Sequence, residues 1–113
     1  FFSTYRTDRT DTRNEEILYL DAIIASSSAS AESKAAAEAK KAELIALMET
    51  ELALEGLIKA KGFEDVVIST SATNINVIVK SAELQEAEVA QICDIIEGQT
   101  DYTLDNIKIF PVE

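Results

Sequence analysis

The sequence predicts an α+β domain in the order α-β-β-α-β, with a three-stranded sheet covered on one face by two helices and a helical arm ahead of it. Three observations carry this prediction. Val66-Val67-Ile68 and Ile75-Asn76-Val77-Ile78-Val79 are β-branched runs joined by Ser69-Thr70-Ser71-Ala72-Thr73, the pattern of a strand pair. Val89, Ile92, Cys93 and Ile96 then recur at helical spacing. Ile107-Lys108-Ile109-Phe110 closes the chain as a third strand.

The elements follow in order. Residues 1–13 are polar, with Thr4, Thr7, Thr10 and Thr12 set among charges, and read as an extended or disordered tail. Thr12-Arg13-Asn14-Glu15 has the form of a capping box. A short helix from about Asn14 to Ala25 follows, with Ile17, Leu20, Ile23 and Ile24 on one face. Ser26-Ser27-Ser28-Ala29-Ser30 breaks it, and Ser30 caps a second helix from Ala31 to about Lys61. That helix is Ala-rich at first and carries Leu44, Leu47, Met48, Leu52, Leu54, Leu57 and Ile58 later. Its second half is expected on the sheet. For the short helix two readings stand: it folds back on the Ala-rich segment as a hairpin, or it meets a partner.

Lys59-Ala60-Lys61-Gly62-Phe63 is a helix exit, with Gly62 in the left-handed position and Phe63 folded back. The strand pair covers 65–80, the next helix runs from about Gln85 to Glu97 and stops at Gly98, and the last strand covers 106–112. Pro111 marks that strand as an edge. A crossover that skips the first strand gives the order β2-β1-β3. The expected core is Leu47, Leu54, Leu57, Ile58, Val66, Ile68, Ile75, Val77, Val79, Val89, Ile92, Cys93, Ile96, Ile107 and Ile109. The chain divides into a tail over 1–13, a helical arm over 14–43 and a sheet domain over 44–113.

Composition narrows the function. The 113 residues hold 21 acidic and 10 basic side chains, for a net charge of −11. Such a field repels phosphate polyanions and anionic membranes. The charge either keeps the domain soluble or faces a basic partner. Residues 1–13 stand apart, with three Arg against two Asp. The chain opens on Phe1-Phe2 without an initiator Met, which reads as a fragment whose first residues end a removed transmembrane helix.

Nothing in the sequence offers chemistry. There is no His and a single Cys, and Cys93 lies on an apolar helical stripe, where it acts as a small buried hydrophobe. Glu64-Asp65 reads as a turn rather than an acid/base pair. The three glycines form no phosphate loop. KH-type RNA-binding domains share the element order, but their Gly-x-x-Gly clamp and basic surface are absent here. No catalytic residue, cofactor or metal ligand is assigned, and the chain reads as a protein-interaction module.

The run Leu54-Glu55-Gly56-Leu57-Ile58-Lys59-Ala60-Lys61-Gly62-Phe63-Glu64-Asp65-Val66-Val67, with Asn76-Val77-Ile78-Val79-Lys80 and Asn106-Ile107-Lys108-Ile109-Phe110-Pro111-Val112, resembles the C-terminal region of the stage III sporulation protein AH family. The Arg/Asp tail, the short helix, the serine turn and the Ala/Glu/Lys helix are also similar to that family. The resemblance implies a ring-building motif, the fold shared with inner-membrane rings of type III secretion and flagellar basal bodies. It implies a single-pass anchor in the mother-cell membrane, with this domain in the space between mother cell and forespore. It further implies binding there to stage II sporulation protein Q, in a channel-like complex. A ring-forming domain of another secretion-type apparatus, or a soluble protein-interaction domain, would read the same way.

Under the resemblance, one sheet edge and the adjoining helix face meet the partner. The candidate residues are Asn74, Asn76, Ile78 and Lys80 on the outer sheet face, with Glu83, Glu86 and Glu88 at the rim. Ile78 is the apolar residue on an otherwise polar strand face. Ring assembly would repeat one contact between unlike patches. The net charge opposes it for the isolated fragment, which is expected to stay mainly monomeric.

Overall fold

The computed structural model describes residues 1–71 and 73–113; Ala72, in the connection expected over 69–73, lies outside the described residues. Two compact units are present, one of Phe1 with Ser3–Glu49 and one of Phe2 with Thr50–Glu113.

The first unit is a helical hairpin. Helix α1 runs Phe2–Ala25, so residues 2–13 are helical and not an extended tail. The capping box expected at Thr12–Glu15 does not form, because those residues lie inside the helix. Two effects explain the correction. Leu20, Ile23 and Ile24 pack against α2, so nucleation is supplied by packing, and each residue added upstream gains a hydrogen bond at little cost. The threonines also adapt to the helix: the Thr7 hydroxyl donates to the Ser3 carbonyl one turn back, at 3.0 Å. At the start, Phe1 and Tyr5 bring their rings to 6.0 Å between centroids.

The serine segment makes the turn. Ser30 caps α2 (Ala31–Ala60) by accepting the Ser33 N–H at 3.0 Å. Leu20, Ala37 and Leu44 are buried together, with Ile23 and Ile24 against them. The small Ala37 side chain lets the helices approach closely. Lys41 Nζ adds an ion pair to Asp21 at 2.7 Å. Of the two readings for the short helix, the hairpin is the one that forms. Leu44 belongs to this hairpin and not to the sheet domain.

The second unit holds the sheet. Strands β1 (Val66–Thr70) and β2 (Ile75–Lys80) pair antiparallel, with Val67 opposite Ile78 and Ser69 opposite Asn76. Strand β3 (Ile107–Val112) pairs parallel with β2, Ile78 lying opposite Phe110. The order is β1-β2-β3, so the expected β2-β1-β3 is overturned. The reason is at the far side of β1, where carboxylates from α2 already take the backbone N–H groups of Ile68 and Thr70. A third strand there would have to displace them, so the chain returning from helix α3 joins β2.

Helix α3 (Glu86–Gln99) starts at a capping box, with the Gln85 N–H donating to Glu88 Oε1 at 2.9 Å. It runs through Gly98 rather than stopping there. The stop is Thr100, whose hydroxyl and N–H both donate to the Ile96 carbonyl. At the other helix exit Gly62 takes φ 106°, as its position after α2 requires.

One core joins both helices to one sheet face. Leu54 and Ile58 of α2 and Ile92, Cys93 and Ile96 of α3 cluster with Val66, Ile68, Ile75, Val77, Val79 and Ile107. Phe63, Val89 and Ile109 pack against the cluster, half-buried. Two expected core residues fall outside it. Leu57 is 41% exposed and Leu47 is half-buried elsewhere. The face of α2 turned to the sheet repeats at 51, 54, 55 and 58, and a leucine at 57 lies to one side of that stripe.

Candidate partner-binding site

Alternation along β2 separates the two sheet faces. Ile75, Val77 and Val79 are buried under the helices, while Asn76, Ile78 and Lys80 stand on the opposite face. Cross-strand register extends this outer face to Phe110 beside Ile78 and Lys108 beside Asn76. Phe110 is 49% exposed, a large apolar group left in water. Sequence reasoning left it out of the expected core, which takes Ile107 and Ile109 from this strand, but did not count it among the outer-face candidates. Alternation was the available signal: if Ile107 and Ile109 face the helices, Phe110 cannot.

The other candidates are more dispersed. Asn74 belongs to the strand connection, where its N–H donates to Ser71 Oγ at 3.0 Å and its carbonyl accepts the Ser71 N–H at 2.8 Å. Lys80 donates to Glu64 at 3.2 Å. Glu83 is exposed beyond β2, and its carbonyl accepts the Ser81 hydroxyl at 2.6 Å. Glu88 is engaged in the α3 capping box. Glu86 lies on α3, which covers the inner sheet face, so the acidic rim and the Asn76–Ile78–Lys80 row are not one patch.

Glu86 instead borders an open groove of about 410 Å³ lined by Leu84, Val89, Ala90, Cys93 and Leu104, with Asp94 and Glu97 on its margin. Burial pushes the Cys93 thiol above its ordinary pKa, and the charges of Glu97 and Asp94 push it further. The thiolate is therefore scarce at neutral pH, which makes the groove a poor nucleophilic site. Among the described residues, no group of three or more His, Cys, Asp or Glu is placed to hold a metal ion. Among them, too, no helix is long and apolar enough to cross a membrane.

Tyr102 ties the α3–β3 connection to the strand pair by donating to the Ser71 carbonyl at 2.8 Å. Its phenol is shifted upward, first by burial and then by the charge of Glu51. Glu51 and Glu55 are themselves buried on the sheet side of α2. Sequence reasoning missed them, reading the acidic residues as lying on solvated helix faces, although Glu51, Leu54, Glu55 and Ile58 share one helical face.

Comparison with known proteins agrees with this architecture. The family model described as SpoIIIAH-like protein matches residues 1–109. Stage III sporulation protein AH of Bacillus subtilis (strain 168) is 37% identical over 95 residues, which cover 84% of this chain and 44% of the relative. The chain thus spans less than half the length of that relative. A chain in the solved structure of the SpoIIQ-SpoIIIAH pore forming complex superposes with a TM-score of 0.87 at 32% identity, covering 97% of this chain and 95% of that one. On these matches the chain belongs to the SpoIIIAH-like protein family.

Proposed function

We propose that this chain is a non-enzymatic assembly domain that binds a SpoIIQ-type protein during sporulation. The observation that carries the reading is its likeness, along almost its whole length, to a chain solved within the SpoIIQ-SpoIIIAH pore forming complex. In this reading the domain lies in the space between mother cell and forespore, anchored to the mother-cell membrane, and contributes to a channel-like connection. Its sheet unit serves as the ring-building domain, expected over 44–113, and its hairpin, which also holds Leu44, as the helical arm, expected over 14–43.

The partner meets the outer sheet face. Ile78 and Phe110 supply adjacent apolar area there, and Asn76, Lys80 and Lys108 supply polar contacts around it. An aromatic anchor beside an aliphatic one is the composition expected at an interface centre. Asn74 lies at one end of the face and Glu83 beyond the other. Glu86 and Glu88 lie on α3 and contribute through that flank.

The test is capture of this domain by the soluble domain of the SpoIIQ-type partner. Ile78→Asp and Phe110→Asp should each abolish capture, and Leu57→Asp should not. Undiminished capture by both outer-face variants removes that face from the reading. Failure of the unaltered domain to bind removes the partner assignment itself.

A further inference from the structure

The outer edge of β1 is occupied, though no strand of the described residues lies beside it. β1 bonds to β2 through alternate residues. The Lys80 N–H donates to the Asp65 carbonyl at 2.8 Å, and the Ser71 N–H donates to the Asn74 carbonyl at 2.8 Å. Val67 and Ser69, opposite Ile78 and Asn76, continue the series. Backbone groups alternate sides along a strand, so the N–H groups of Val66, Ile68 and Thr70 point away from β2.

Each of these three donors meets a carboxylate. Asp65 Oδ1 accepts from Val66 at 2.9 Å. Glu55 Oε2 accepts from Ile68 at 2.9 Å. Glu51 Oε2 accepts from Thr70 at 3.1 Å and also takes the Thr70 hydroxyl at 2.7 Å. The two repeats match. Residues four apart on a helix are separated by about 6 Å along its axis, and residues two apart on a strand by about 6.7 Å. Glu51 to Thr70 and Glu55 to Ile68 therefore stay in step, with α2 running opposite to β1.

Burial makes this arrangement informative. Glu51 and Glu55 are 2% and 5% exposed. Taking a carboxylate out of water is costly, and apolar side chains at these two places would pack on the sheet without that cost. What the carboxylates provide is acceptors for N–H groups that would otherwise seek another strand. We propose that Glu51 and Glu55 act as a surrogate strand: they close the β1 edge, so that this sheet meets protein partners through its faces and not by strand addition at β1.

The opposite edge is restricted by other means. The Val112 carbonyl accepts from Ser81, so Val112, Phe110 and Lys108 turn their backbone groups toward β2. Ile107, Ile109 and Pro111 face outward. The Ile107 N–H donates to the Leu104 carbonyl and Pro111 has none, which leaves Ile109 as the outward donor of β3. Neither side of the sheet presents the row of donors that an incoming strand requires.

Replacing the acceptors tests the proposal. Glu51→Ala with Glu55→Ala uncovers two adjacent strand donors. That double variant should self-associate with rising concentration in sedimentation velocity, whereas the unaltered chain should change less over the same range. Glu51→Gln with Glu55→Gln keeps an acceptor oxygen at each place and should sediment as the unaltered chain does. Adding Thr70→Pro to the alanine pair removes one outward donor and should reverse the association.

Hydrogen exchange gives a readout independent of association. Glu55→Ala should speed exchange at Ile68, and Glu51→Ala at Thr70, each by about tenfold or more, as loss of a charged acceptor implies. The corresponding glutamine variants should not. These single variants serve if the double alanine variant does not fold. A folded double alanine variant that sediments as the unaltered chain does overturns the proposal, and so do unchanged exchange rates at Ile68 and Thr70 in the single variants.

Discussion

Ile78 and Phe110 stand opposite each other across the parallel β2–β3 pair, on the sheet face turned away from the core of Leu54, Ile58, Ile92 and Ile96. If both contact one partner group, their effects on binding are coupled. A double-mutant cycle of Ile78→Ala and Phe110→Ala, read by calorimetric titration with the SpoIIQ-type domain, should give an interaction energy above about 0.5 kcal/mol. Strict additivity would place the two side chains in separate contacts.

The core separates neighbouring positions of α2. Ile58 is fully buried, so Ile58→Ala should cost about 2–5 kcal/mol in urea unfolding. Leu57, one residue earlier, points to one side of the sheet-facing stripe. Leu57→Ala should stay within roughly 1 kcal/mol of the unaltered chain, set by partial burial and helix propensity. A larger loss at 57 than at 58 would reverse the assignment of the buried stripe.

The glycines should respond in opposite directions. Gly62 has φ 106°, where a Cβ is strained, and Gly62→Ala should destabilise by about 1 kcal/mol. Gly98 lies in α3, with open space where a Cβ would stand. Gly98→Ala should stabilise by about 0.4–1 kcal/mol through helix propensity and a less flexible unfolded chain. Thermal unfolding of the two variants checks both signs.

Tyr102 makes stability sensitive to alkali. Its folded pKa is raised above the ordinary tyrosine value by burial and by Glu51. The folded state therefore holds this proton more tightly than the unfolded state does. The associated stability is complete below about pH 10 and is lost as pH rises through the folded pKa. Tyr102→Phe should flatten that part of the stability curve. It should also cost about 1 kcal/mol at neutral pH, by leaving the Ser71 carbonyl without its phenol donor. Unfolding midpoints across alkaline pH, compared for the two proteins, provide the measurement.

Charge governs the dilute state. At a net charge of −11 the isolated domain should remain mainly monomeric at low salt, and added salt should favour self-association by screening. Sedimentation at two ionic strengths decides the sign. A closed ring at micromolar concentration in low salt would refute the charge argument.

Much of the sheet unit was legible because local and tertiary preferences agree there. The β-branched runs became β1 and β2, and the Val89-Ile92-Cys93-Ile96 spacing became the buried face of α3. The strand order was not legible, because it depends on which edge of β1 is free. Two glutamates 11 or more residues from that strand decide this through hydrogen bonds, which no periodicity records. The start of α1 was missed for a related reason. The threonines and aspartates at 4–13 are weak helix formers, and the helicity there is inherited from the packed end at Leu20–Ile24. On the candidate face, alternation placed Asn76, Ile78 and Lys80 on one side and was the available signal for Phe110, but its place beside Ile78 became apparent only from the β2–β3 register.

The burial of Cys93 has a practical consequence. It is the only thiol in the chain, 8% exposed and held largely protonated by its surroundings. A maleimide or spin label offered to the folded protein therefore finds little background reactivity. A cysteine introduced at Asn76, Lys80 or Lys108 becomes a nearly unique attachment point, so distances across an assembled complex can be measured from the outer face without first removing the native residue.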